Sequence, residues 1–344
     1  SRAEQTVVLA GGGTIISEAH QELLALAEFL QTPVLTTPEG KGSIPEDHYL
    51  ALGCSSLGYG AASTILPKAD VILAVGTRLH RPQGFVKDLK LIHIDVDESV
   101  IGREWPTTLS IKADAKLALG QMLAGLRARI PPREPKKSDA EELREKVKEE
   151  IRAAAPLQTS IIEDIRSVLD RDAIVVSGLT NVGYWANLAF PVYEPRTYIT
   201  CGYFGALGYA FPTALGAKVG RPERQVVALC GDGGFLYGCS ELATAVQNNV
   251  SVVTIVFNDS CYGAVKMHQK IGYGQRFVGV ELANPDLVKL AEAFGAKGIK
   301  VEAPSGLKDA LKEALRYKEP VVVETPMPTL EAPFHISRSI SAKG

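Results

Sequence analysis

The strand-like run Gln225-Val226-Val227-Ala228-Leu229-Cys230 leads directly into Gly231-Asp232-Gly233-Gly234. Glycines in such a turn let backbone N–H groups close on an anion, and a helix N-terminus behind them adds a favourable dipole. Asp232 conflicts with that picture, because a carboxylate repels a bare phosphate. A bridging divalent cation removes the conflict, since Mg²⁺ accepts a carboxylate on one side and phosphate oxygens on the other. It also requires a second oxygen ligand nearby. Asp259 lies 27 residues further on, at the end of the apolar run 251–257, and this interval is about one strand–helix–strand unit. Both carboxylates are therefore expected at neighbouring strand ends, aimed at one ion. A tight strand–helix turn with a capping aspartate would explain residues 231–234 taken alone, but not the placement of Asp259.

The elements that must position these residues follow from short Val/Ile/Leu runs alternating with amphipathic stretches. Before the glycine turn, the pattern predicts helix 160–169, strands 173–176 and 197–200, helix 208–219 and strand 225–230. Beyond it come helix 239–248, strand 251–257, helices near 262–270 and 284–294, strand 298–302, helix 305–316 and strand 320–324. The first part of the chain alternates in the same way: strand 6–10, helix 18–30, strands 34–36, 71–75 and 91–95, and helix 113–129. Such alternation implies parallel sheets covered on both faces. The fold class expected is α/β, with two doubly wound parallel-sheet domains. Three prolines and five charges within 130–139 mark an exposed linker, and a charged helix is expected over 140–155. The domains are accordingly placed at 1–130 and 159–344, with a linker and connecting helix over 131–158. The tail from Pro326 has no clear period.

The residues around the turn resemble thiamine diphosphate-dependent enzymes of the acetolactate-synthase-like kind. Gly231-Asp232-Gly233, followed at this spacing by Asn258-Asp259, is similar to that family's diphosphate-binding signature. The block Gly205-Ala206-Leu207-Gly208-Tyr209-Ala210-Phe211-Pro212, the helix segment Glu241-Leu242-Ala243-Thr244 and the pair Tyr262-Gly263 match as well. The resemblance implies that Asp232, the side chain of Asp259 and the backbone carbonyl of Cys261 bind Mg²⁺. It also implies that Gly231, Gly233, Gly234, Tyr262 and Gly263 face the diphosphate, along with Thr180 and Asn181. Gly205, Ala206 and Leu207 fall beside the cofactor, with Leu207 where the family places the apolar residue that holds its bent shape. Many relatives have Asn where this chain has Asp259, so an additional negative charge is expected here.

The first domain resembles the central domain of the same family over about residues 5–125. The matching stretches are Val7-Val8-Leu9-Ala10-Gly11-Gly12-Gly13, 35–42, Val75-Gly76-Thr77-Arg78 and His93-Ile94-Asp95-Val96-Asp97. In relatives this domain holds FAD, ADP or nothing. Gly11, Gly12, Gly13, Arg78, Asp95 and Asp114 are the candidate nucleotide contacts, and an empty structural domain is the equal alternative. A nicotinamide site is disfavoured because Gly11-Gly12-Gly13-Thr14-Ile15-Ile16 does not complete Gly-x-Gly-x-x-Gly.

By resemblance, the chemistry is C–C bond making or breaking next to a carbonyl, with a 2-oxo acid or related compound as substrate. No residue here takes the role of the glutamate that the family carries on its pyrimidine-binding domain. That domain is therefore expected in cis or in trans, within a homo-oligomer, and a non-catalytic binding or regulatory subunit is the rival reading. Acetolactate synthases carry a Gln-Trp pair where this chain has Met267-His268, which leaves decarboxylase, benzaldehyde-lyase-like and 2-hydroxyacyl-CoA-lyase-like roles open. His268 is a candidate substrate contact as acid or base, with a partly exposed helix histidine as the plainer alternative.

Composition narrows the field. The formal net charge is −2 over 344 residues, without the basic excess that nucleic acid or an anionic membrane would demand. The apolar runs fall far short of the roughly 20 residues of a membrane span, and the opening residues lack a signal-peptide core, so a cytoplasmic location is expected. Five cysteines without metal-type spacing are expected to be reduced.

Overall fold

The computed structural model describes residues 3–330 and 333, except 57, 80–88, 136 and 203. The chain divides into two compact units. The first comprises residues up to Ala154 together with Pro191–Arg196, and the second comprises Ala155–Phe190 and the residues from Thr197 onward.

The first unit is built on six parallel strands: β1 (Thr6–Ala10), β2 (Val34–Thr36), β3 (Ala51–Cys54), β4 (Val71–Val75), β5 (Lys90–Asp95) and β6 (Leu109–Lys112). Their order is β3-β2-β1-β4-β5-β6, a doubly wound sheet. The apolar runs form the central strands and are buried on both faces, as Val7, Val8, Ile72 and Ala74 show. The short strands β3 and β6 were not anticipated: β3 contains Gly53, and β6 is a largely exposed edge. The charged helix Lys137–Ala154 lies against β3, where Arg144 donates from Nη1 to the carbonyl of His48 at 2.8 Å. The segment Pro191–Arg196 is held through Glu46, whose backbone N–H donates to Val192 O (2.9 Å) and whose Oε2 accepts from Val192 N (3.3 Å). The other oxygen of Glu46 pairs with the buried ammonium of Lys41 at 2.6 Å.

The second unit has β7 (Ile174–Ser177), β8 (Tyr198–Thr200), β9 (Val226–Gly231), β10 (Val253–Asn258), β11 (Lys297–Lys300) and β12 (Val321–Pro326), all parallel, in the order β11-β12-β10-β9-β7-β8. The expected α/β class with two parallel-sheet domains is what the chain adopts. β9 and β10 are neighbours, with Phe257 opposite Gly231, so the two strand ends that carry Asp232 and Asp259 lie side by side. β7 and β9 are also neighbours, and their connections leave in opposite directions, toward β8 and toward β10. A crevice forms outside the carboxyl ends of strands at such a reversal, and ligands of open α/β sheets bind there. Two elements differ from expectation. A helix Asn181–Ala189 follows β7, and the helix expected from 284 begins only at Leu287, because Pro285 disfavours helical geometry before it and Asp286 caps the first turn through Lys289 N.

The equivalent reversal in the first unit lies between β1 and β4, at the two glycine turns. There, Gly11 N donates to Val75 O and Gly13 N to Gly76 O, each at 2.9 Å. A Cβ on Gly11 would lie 2.3 Å from Gly76 O, and one on Gly13 would lie 2.6 Å from Gly76 Cα. These glycines thus allow two backbone turns to touch, and two of their amides are spent on that contact. Overpacking of this kind costs about 1–3 kcal/mol. Gly13→Ala should therefore lower the unfolding free energy from urea titrations by that amount, with or without any added nucleotide.

Candidate functional site

A cavity of about 260 Å³ opens over the carboxyl ends of β7, β9 and β10. The loop after β7 lines it with Leu179, Thr180 and Asn181, and the turn after β9 contributes Gly231, Asp232, Gly233 and Gly234. Asp259, Cys261, Tyr262 and Gly263 come from the loop after β10, while Gly205 and Leu207 close another side. Ala206 borders a smaller adjoining hollow beside Leu207 and Gly234. His268 is exposed on the helix Gly263–Gly272 and is not among the lining residues, whereas its neighbour Met267 is buried.

The chain makes this site by local geometry. The helix Asp232–Gly238 begins at Asp232, so the carboxylate and the glycines sit on its first turn. A Cβ on Gly233 would stand 2.5 Å from Cε1 of Tyr262, which leaves no room for a side chain where the two loops meet. Leu207 remains 41% exposed, with Cδ2 3.9 Å from where a Cβ of Gly234 would be. It is an apolar surface without an apolar cover, next to a polar turn. The side chain of Asn181 accepts from Gln158 Nε2 (2.8 Å) and donates to Leu330 O (3.0 Å), so its amide is engaged within the protein.

Two carboxylates dominate the electrostatics. Asp232 is 2% exposed, and burial pushes its carboxyl above the ordinary aspartate range. The Asn284 amide and the backbone N–H groups of Gly233 and Ser260 act in the opposite sense. Asp259 is raised first by burial and further by the negative charge of Asp232, against a hydrogen bond from the Cys261 thiol to Oδ2 at 3.3 Å. The site thus confines two anions close enough to feel each other. Among the described residues there is no cluster of three His, Cys, Asp or Glu side chains suited to an ion. A cation here would take two carboxylates and complete its shell with other oxygens. The carbonyls flanking Cys261 are engaged, that of Ser260 by Leu282 N and that of Tyr262 by Lys266 N.

Several residues at the site carry only faint signals in a single sequence. Asn284 donates through Nδ2 to Asp232 Oδ2 (2.6 Å) and to Asn258 Oδ1 (2.9 Å). Asn258 donates in turn to the buried Glu324 at 2.8 Å. Met327, Pro328 and Leu330, in the stretch left unassigned, line the cavity, and Met327 N is tied to Asn258 O at 2.8 Å. A polar residue just before a proline and a carboxylate inside an apolar strand were the available hints.

Two of the candidate nucleotide contacts of the first unit bond to nearby backbone. Asp114 caps the helix Ala115–Arg127 by accepting from Leu117 N at 3.1 Å, and Asp95 accepts from Asp97 N at 3.0 Å. Arg78 is exposed beside the closed glycine turns.

All five cysteines are free, and no described helix is long and apolar enough to cross a membrane. Residues 178–325 match the profile "Thiamine pyrophosphate enzyme, C-terminal TPP binding domain", and residues 1–122 match "Thiamine pyrophosphate enzyme, central domain". The chain is 36% identical to a probable acetolactate synthase large subunit of Methanocaldococcus jannaschii, over 96% of this chain and 59% of that protein. It is 33% identical to the corresponding protein of Methanococcus aeolicus, over 94% and 58%. A probable 2-ketoarginine decarboxylase of Pseudomonas aeruginosa is 34% identical over 91% and 56%. The chain therefore spans a little over half the length of these relatives. With both profiles falling in order along it, and with the glycine turn and paired carboxylates meeting in one crevice, the chain belongs to the thiamine diphosphate-dependent enzymes, on their acetolactate-synthase-like branch.

Proposed function

We propose that this chain supplies the diphosphate- and Mg²⁺-binding half of the active site in an enzyme that makes or breaks a C–C bond next to a carbonyl, with a 2-oxo acid or related compound as substrate. The observation that carries the reading is the confinement of Asp232 and Asp259 at one cavity with both carboxyls raised. A hard divalent cation relieves both burial and repulsion, and its remaining positions suit phosphate oxygens.

The residues present fit such an ion and its diphosphate. Two buried or half-buried carboxylates, Asp232 and Asp259, feel each other's charge at one cavity, and the turn between them presents Gly233 and Gly234 without side chains. The carboxylates of Asp232 and Asp259 and the backbone carbonyl of Cys261 would hold the ion. The backbone at Gly233, Gly234 and Gly263 would approach the diphosphate, while Leu207 would support the cofactor through apolar contact. Thiamine diphosphate, when bound, supplies the electron sink for the reaction, and the protein contributes binding, orientation and electrostatics. A pyrimidine-binding domain in cis or trans, within a homo-oligomer, would complete the site.

The relative named as a decarboxylase and the Met267-His268 pair together favour a second reading, decarboxylation without carboligation. A panel of 2-oxo acids given to the enzyme completed with a pyrimidine-binding domain separates the two, because carboligation yields a longer hydroxy-ketone product and decarboxylation an aldehyde.

Isothermal titration of thiamine diphosphate with Mg²⁺ tests the binding assignment. Changing residues that merely support a metal ligand costs 10–100-fold in affinity, so Asp232→Ala, which removes a ligand, should cost more than about 100-fold. Equal binding by both proteins would sink the assignment. The raised carboxyls give a second expectation. Their contribution to stability is full below the unfolded aspartate value of 3.8 and is lost as pH rises through the higher folded values. At neutral pH the metal-free chain therefore carries a penalty that Asp232→Asn relieves. Thermal melts should show the variant more stable than wild type near pH 7 without metal, with the difference fading below pH 4. Added Mg²⁺ and thiamine diphosphate should then raise the melting temperature of the wild type alone.

A further inference from the structure

The carboxylate that faces the cavity is the end of a side-chain chain that starts inside the sheet. Glu324 sits on β12 opposite Val256 of β10 and is 8% exposed. Its Oε1 accepts from Asn258 Nδ2 at 2.8 Å, which fixes which end of the Asn258 amide faces the strand. The other end, Oδ1, then accepts from three donors: Ser260 N at 3.1 Å, Ser260 Oγ at 3.2 Å and Asn284 Nδ2 at 2.9 Å. Because Asn284 Nδ2 lies between two acceptors, Asn258 Oδ1 and Asp232 Oδ2, only its amide nitrogen can occupy that place. The order of donors and acceptors along Glu324, Asn258, Asn284 and Asp232 is therefore forced from one end.

The backbone reinforces the chain. Tyr262 N donates to Val280 O and Leu282 N to Ser260 O, both at 2.8 Å, so the loop after β10 is paired with 280–282, the stretch that delivers Asn284. Within that loop Ser260 is left-handed (φ 53°), a conformation that costs a non-glycine residue energy and that its two bonds to Asn258 help to hold.

We propose that Glu324 and Asn284 are positioning residues: Glu324 acting through Asn258, and Asn284 bonding both Asn258 and Asp232, orient the Asp232 carboxylate and set the 258–261 turn for a divalent cation. This inference rests on the metal reading given above. Neither residue need touch the ion. Glu324 fixes the direction of the hydrogen bonds, and Asn284 joins the two loops that bring Asp232 and Asp259 together. Supporting groups of this sort typically govern affinity by 10–100-fold.

The test uses Mn²⁺ as a spectroscopic probe, titrated into the full chain with thiamine diphosphate present and followed by electron paramagnetic resonance, with thermal melts in parallel. Asn284→Ala and Glu324→Ala should each weaken Mn²⁺ binding by 10–100-fold. Glu324→Gln, which keeps an oxygen acceptor for Asn258, should bind within about threefold of wild type and also serves if Glu324→Ala does not fold. Because both residues act along one path, the double alanine variant should lose far less than the product of the two single losses. Singles that bind Mn²⁺ as wild type does, or that lower only the melting temperature, overturn the inference while leaving the metal site intact. So does a double variant whose losses multiply. Wild type that binds no more Mn²⁺ than Asp232→Ala overturns the metal reading itself, and the inference with it.

Discussion

Two like charges held in one buried crevice are the constraint from which the rest of the second unit can be understood. Burial alone disfavours an ionised carboxylate, and a neighbouring anion adds to the penalty. The fold nevertheless places Asp232 on the first turn of its helix and Asp259 at the end of the adjacent strand, with backbone amides and an asparagine arranged to accept the ionised form of Asp232. Such an arrangement costs stability in the protein by itself, and under the proposed reading a small, hard cation would relieve that cost. Under the same reading, the glycines at the turn would let an anion approach that cation.

The parallel sheet supplies the precision. Side-by-side β9 and β10 fix the separation of the two carboxylates through backbone pairing, and the reversal between β7 and β9 opens the crevice at that edge. The first unit has the same reversal between β1 and β4, yet there the turns meet and bond to each other. One topology thus yields an open site in one unit and a sealed contact in the other. The difference lies in how the turns meet: Asp232 heads an open turn in the second unit, whereas Gly11 and Gly13 close on Gly76 in the first.

This contrast shows what the sequence could and could not reveal. The alternating pattern, the strand before Gly231 and the spacing to Asp259 are local or nearly local features, and the structure follows them, with helix starts displaced at Pro156 and Leu287. Gly11, Gly12 and Gly13 look from sequence like a phosphate turn, because a glycine run reads the same whether it approaches a ligand or another turn. Asn181 matches the family loop, but its amide is occupied by partners on two distant segments. Asn284 and Glu324 reach the site across 52 and 66 residues of chain, to Asp232 and Asn258 respectively, and nothing in their immediate neighbours announces this.

The excursion of residues 191–196 has its own consequence. The chain leaves the second unit after Phe190, spends six residues bound to Glu46 and its surroundings, and re-enters at Thr197 to form β8. The units are therefore stitched by the polypeptide at more than one place, and the junction at 154/155 is not a clean seam. A fragment severed there would carry away the strap whose Val192 exchanges two hydrogen bonds with Glu46, the partner of the buried Lys41.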